Sequence, residues 1–190
     1  MSEDLIRCFI AVELPADLLK EIAAYTQKLN EQTSGIRWVR PSGVHITLKF
    51  LGEITASRVE DVRKSLANIS SVAEPFTLSI SGAGCFPNRR QPRVIWLGLE
   101  HDPAHSLFKL HNWLDDQLTL LGFEKEKRRF SPHLTLGRIK YAGDFKSLFN
   151  YIDQNAFPGR IFHVDRISLI RSTLQPSGAV YNKLADYPLH

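Results

Sequence analysis

Two histidines stand in the same four-residue frame, His45-Ile46-Thr47-Leu48 and His133-Leu134-Thr135-Leu136. On a strand, side chains two apart share a face. His45 and Thr47 therefore project together while Ile46 and Leu48 turn toward a core, and the second frame behaves identically. Each motif offers one imidazole and one hydroxyl on a packed platform. An imidazole titrates near pH 6.5, so of two neighbours one can be neutral and the other charged at physiological pH. A neutral ring takes a proton from an attacking nucleophile and a charged one returns a proton to a leaving oxygen. Hydroxyls can donate to non-bridging oxygens as their charge grows. Phosphodiester cleavage fits this set and needs no metal. The plainer alternative is a pair of half-buried strand histidines with ordinary hydrogen bonds.

The elements that would carry these residues alternate along the chain. Strand patterns cover 7–14, 44–51 (ending at Gly52), 76–80, 94–99, 133–136, 161–170 and 180–184. Helical spacing of apolar residues follows Pro15, covers 55–69 behind a Thr or Ser cap, begins at Asp102-Pro103 and covers 144–154. A loop rich in breakers and cations spans 82–93, and Pro176-Ser177-Gly178 reads as a turn. The two halves share one grammar of strand, helix, strand, helix, strand, and Arg7-Cys8-Phe9-Ile10 lines up loosely with Arg93-Val94-Ile95-Trp96. An internal duplication within a single two-lobed domain, 1–190, follows. The expected class is α+β, a compact two-lobed unit whose pseudo-symmetry would face the two motifs across a groove.

Composition supports this without deciding it. With 43% hydrophobic and 23% charged residues the chain can bury a core, which excludes disorder, collagen and coiled coil. A net charge of +4 permits an anionic partner. Cys8 and Cys85 are too few for a disulfide framework and read as small apolar residues in a reducing cytosol. The opening Ser2-Glu3-Asp4 is acidic and the apolar stretch 9–12 is too short for a signal-peptide core. A cytoplasmic monomer without membrane segment or obligate protein partner is expected.

From the motifs outward, the chain resembles the RNA 2′,3′-cyclic phosphodiesterases, also called 2′,5′-RNA ligases, of the two-histidine (2H) phosphoesterases. The likeness is carried by Arg7-Cys8-Phe9-Ile10-Ala11-Val12, by Gly43-Val44-His45-Ile46-Thr47-Leu48-Lys49-Phe50-Leu51-Gly52 and by Phe130-Ser131-Pro132-His133-Leu134-Thr135-Leu136-Gly137-Arg138. Near the end, Ser168-Leu169-Ile170-Arg171-Ser172 leads to Gly178 and Tyr181. The resemblance implies an α+β fold of two pseudo-symmetric lobes of antiparallel sheet with outer helices, flanking a central catalytic groove, and hydrolysis of 2′,3′-cyclic phosphate RNA ends to 2′-phosphates without a cofactor, with reversible 2′,5′ ligation as a secondary activity. It also implies His45 as proton donor and His133 as acceptor, a choice the symmetric motifs leave open, with Thr47 and Thr135 beside them. Rival readings are a two-histidine enzyme for a small cyclic nucleotide or 2′,5′-oligonucleotide, and a silent RNA-binding module.

Arg138 matches a phosphate-associated family position, yet simple alternation points it away from His133 unless Gly137 hosts a bulge. Trp38, between Arg37 and Arg40, is a candidate base platform, with packing as the commoner role. Phe9 reads as core. Arg89, Arg90 and Arg93, and Lys125, Lys127, Arg128 and Arg129, are cationic clusters near the two motif strands. His101, His105 and His111 lack the spacing of a metal site.

Overall fold

The computed structural model describes residues 4–102, 104–176 and 178–190. Ser2 and Glu3 of the acidic start, Pro103 of the expected helix start and Ser177 of the expected turn lie outside the described residues, as do the side chains of Glu100 and His101.

Apolar alternation builds nine strands among the described residues: β1 (Ile6–Glu13), β2 (Ile36–Trp38), β3 (His45–Ile54), β4 (Phe76–Phe86), β5 (Val94–His101), β6 (His133–Ile139), β7 (Arg160–Val164), β8 (Arg166–Gln175) and β9 (Gly178–Pro188). They form one antiparallel sheet in the order β7-β4-β5-β6-β3-β1-β8-β9, with β2 beside the end of β6. At its centre β3 meets β6 through the pair Ile46 and Leu134 alone. That narrow seam separates a lobe of β3, β1, β8 and β9 from one of β6, β5, β4 and β7. Among the described residues four α-helices complete the fold: α1 (Ala16–Glu31), α2 (Ala56–Leu66), α3 (Ser106–Leu120) and α4 (Lys146–Gln154). Their apolar stripes, such as Leu18, Ile22, Tyr25 and Leu29 on α1, join the sheet residues Ile10, Ile46, Ile95 and Leu134 in the main core.

The last strand of the first half, β4, pairs with β5 and β7 of the second half, while β8 of the second half pairs with β1 of the first. The β3 lobe thus takes β8 and β9 from the second half of the sequence, and the β6 lobe takes β4 from the first.

Several elements run differently from their sequence patterns. The strand expected to stop at Gly52 continues to Ile54: Gly52 takes a φ of +75° and a bulge between Cys8 and Phe9 carries the ladder on to Ile6 and Ile54. β4 absorbs 82–86 of the supposed loop, because a second irregularity between Ser81 and Ala83, with Gly82 at φ +67°, keeps it paired to β5. The single strand expected over 161–170 is two strands parted at Asp165, one on each lobe. β2 was not evident in the pattern, being only three residues long. Helix α3 starts at Ser106 rather than at Asp102-Pro103, although the Asp102 carboxylate does cap it, accepting from the Ser106 and Leu107 backbone N–H groups at 2.8 and 2.9 Å. Thr55 caps α2 through the Arg58 N–H.

Candidate active site

The antiparallel bridge between Ile46 and Leu134, both fully buried, sets the site. With those two pointing into the core, the flanking residues turn to the opposite face, His45 across from Thr135 and Thr47 across from His133. All four are half-buried. The two imidazoles and two hydroxyls therefore share one face where the lobes meet.

Aromatic rings hold both histidines. Phe9 stacks on His45 with centroids 4.6 Å apart, and Tyr181 meets the same ring edge-on at 5.2 Å. Phe9 is buried with Ala11, Ile170 and Tyr181 in a small second cluster on the groove side of the sheet, so it is core that also supports the site. Phe86 meets His133 edge-on at 4.9 Å. His133 Nδ1 lies 2.8 Å from the carbonyl oxygen of Ser131, two residues back, a contact that would leave Nε2 for chemistry. The Gly43 backbone, also two residues back, is the corresponding partner of His45. Burial pushes the His45 imidazole down from 6.5 to about 4; Gly43 and the nearby Glu13 carboxylate work against this, and the Arg138 charge works with it.

Arg138 reaches the groove side because β6 carries the bulge. Trp96 pairs with Thr135 and Ile95 with Gly137, so Leu136 is the extra residue. Val94, two before Trp96, pairs with Arg138, which restores Arg138 to the face of Thr135. Arg37 lies directly across from it on β2, and both guanidinium groups are exposed. Trp38, a candidate base platform with packing as its commoner role, is then on the reverse face. Its indole packs over Gly137, and its Nε1–H donates to Asn30 Oδ1 at 2.6 Å, beside the helix layer.

Beside His133 opens a cavity of about 570 Å³, walled by Phe86, Trp96, Phe108, Phe130 and Arg129. A second, of about 460 Å³, lies past the end of β6 between Arg90, Arg93, Lys140 and Tyr141. Of the cationic clusters, Arg89 is engaged by Asp153 and Lys125 by Asp116. His111 is buried and stacked on Phe130 at 3.9 Å, and among the described residues no group of His, Cys, Asp and Glu has the makings of a metal site.

Glu13 and Phe86 were not singled out in the sequence. Phe86 lay inside an apparent breaker loop, and Glu13 closed a strand like any surface acid. Only the register of β1 on β3 shows Glu13 opposite His45.

One family model, LigT like Phosphoesterase, matches the chain twice, at 12–96 and 97–181. A Thermotoga maritima protein named RNA 2′,3′-cyclic phosphodiesterase is 34% identical over 95% of this chain and 94% of its own. A Methanocaldococcus jannaschii protein of the same name is 33% identical over 96% and 100%. Among solved structures, a Thermus thermophilus protein superposes with a TM-score of 0.83 at 27% identity over 97% of this chain and 98% of its own. E. coli LigT complexed with 3′-AMP gives 0.77 at 27% over 98% and 99%.

Proposed function

The chain belongs to the LigT-like phosphoesterases, and from that premise we propose that it hydrolyses the 2′,3′-cyclic phosphate at RNA ends to a 2′-phosphate and a free 3′-hydroxyl. The observation that carries the reading is the Ile46–Leu134 bridge, which turns both His-x-Thr motifs to one face. His133 takes a proton from water as its oxygen bonds to phosphorus, and His45 gives a proton to the 3′-oxygen as the P–O3′ bond breaks. Thr47 and Thr135 donate to the non-bridging oxygens, and Arg138 balances their charge. No metal enters these steps. The aromatic cavity beside His133 suits a nucleoside, whose base can stack there, and the groove-side arginines suit an RNA backbone. The same reading has the enzyme working as a monomer in the cytoplasm, in keeping with two unpaired thiols at Cys8 and Cys85; no helix among the described residues is long and apolar enough to cross a membrane.

The test is incubation with an oligonucleotide ending in a 2′,3′-cyclic phosphate. Appearance of the 2′-phosphate product, undiminished by EDTA, is expected. Binding without turnover would leave an RNA-binding module, and loss of activity in chelator would require a metalloenzyme instead.

A further inference from the structure

The two motifs are alike, but their cross-strand neighbours are not. His45 on β3 is paired with Glu13 on β1, whereas His133 on β6 is paired with Gly98 on β5. Since β1 and β5 hold corresponding places beside the two motif strands, the carboxylate and the glycine occupy equivalent positions, and among the described residues only His45 has a carboxylate paired directly across from it. Glu13 is also fixed in place. Its Oε2 lies 2.6 Å from the hydroxyl of Ser168, which is fully buried, and 2.7 Å from Lys183 Nζ. The same hydroxyl lies 2.7 Å from Asp186 Oδ1, and Lys183 Nζ lies 3.0 Å from that oxygen. Burial pushes the Asp186 carboxyl up, but Ser168 and Lys183 more than offset it and hold it below the usual range. Two carboxylates thus share one ammonium and one hydroxyl, leaving a net negative charge behind His45.

From this asymmetry we infer that Glu13, braced by Ser168, Asp186 and Lys183, is the positioning residue that raises the proton affinity of His45 against burial and so fits it, rather than His133, to act as the proton donor once substrate is bound. The inference rests on the cyclic phosphodiesterase reading for the step in which the donor acts. The groups that bear on His45 are Glu13 from β1, Arg138 from β6, the Gly43 carbonyl, Tyr181, Lys183 and Asp186 from β9, and, through Glu13 and Asp186, Arg166 from β8, itself paired with Asp165. Of these Glu13 favours the charged ring and Arg138 opposes it. Lys183, by neutralising part of the anion, tempers the effect.

Two substitutions with opposite expected signs test this. The imidazole nitrogens of His45 and His133 are titrated by NMR in the intact protein, beside the pH dependence of kcat. Glu13→Gln is expected to lower the His45 midpoint by about one pH unit, a tenfold loss of charged ring at a fixed pH above it. The alkaline limb of kcat should move the same way with KM little changed, and Glu13→Asp should restore part of the shift. Lys183→Met is expected to raise the His45 midpoint, and it serves alone if Glu13→Gln does not fold. His133 should hold its midpoint in both. An unmoved His45, both variants shifting it in one direction, or an equal shift at His133 would overturn the inference. Because the titration needs no turnover, a wild-type protein inactive on cyclic phosphate ends would sink the functional reading while still deciding whether Glu13 raises the proton affinity of His45.

Discussion

In the proposed mechanism His45 gives up a proton, in a groove that discourages it from holding one. Burial leaves the free ring charged only below about pH 4, and an anionic phosphate arriving beside it reverses the balance by Coulomb attraction. The donor is therefore charged more readily in the complex than in the free protein. It follows that the alkaline limb of kcat lies at higher pH than that of kcat/KM, by about one unit or more, since the first reports the complex and the second the free enzyme. Coincident limbs across a full pH series would contradict this. Replacing His45 or His133 with Ala should cost each about 10²–10⁴ in rate while thermal unfolding stays cooperative. The motif residues were legible because two repeats with matched flanks fix their faces by alternation alone. Trp38 was read both ways because its neighbours, two arginines, suggested RNA; its pairing to Gly137 turns it toward Asn30, in line with the packing role.

Among the elements, the bulge in β6 matters most. Sequence alternation put Arg138 on the wrong face, and Gly137 hinted at the correction without proving it; bulges add a residue that periodicity cannot count. The glycine is needed for space. A Cβ there would come within 2.7 Å of Ile36 Cγ2 and 2.8 Å of Trp38 Cε3. Gly137→Ala should push β2 away, re-aim Arg138, and cost about 1–3 kcal/mol from overpacking. Chemical denaturation should show that loss together with a raised KM for the cyclic substrate; an unchanged KM would detach Arg138 from phosphate binding. The other irregularities, at Gly52 and Gly82, hid in the same way: each glycine read as a strand end and instead let the ladder run on.

On the scale of the whole molecule, Lys49 of β3 and Asp115 of α3 tie the first half to the second. They form a buried ion pair, and Lys49 Nζ also donates to the Glu124 carbonyl at 2.8 Å while Asp115 accepts from the Glu126 N–H at 3.2 Å. The 122–132 connection into the second motif is anchored there. Burial pushes the Asp115 carboxyl up, but Lys49 and the Glu126 N–H outweigh it and hold it below its ordinary value. Stability from this group is therefore present above the unfolded carboxyl pKa and lost as pH falls through the lower folded one. Lys49→Met strands a buried carboxylate and should cost about 3–5 kcal/mol, read as a fall in denaturation midpoint at neutral pH; Lys49→Met with Asp115→Leu should recover much of it. None of this was visible in the sequence, where a lysine on a strand and an aspartate on a helix 66 residues later carry no mark of each other.

The exchange of outer strands between the halves has a practical sequel. A single cut at the exposed turn near Gln91 yields two pieces, each carrying one imidazole: the first owes β4 to its counterpart's lobe, and the second owes β8 and β9. Neither should turn over substrate by itself. Mixed, they should regain activity with a rate that climbs with the product of their concentrations, so that what looks like one enzyme becomes a second-order assembly.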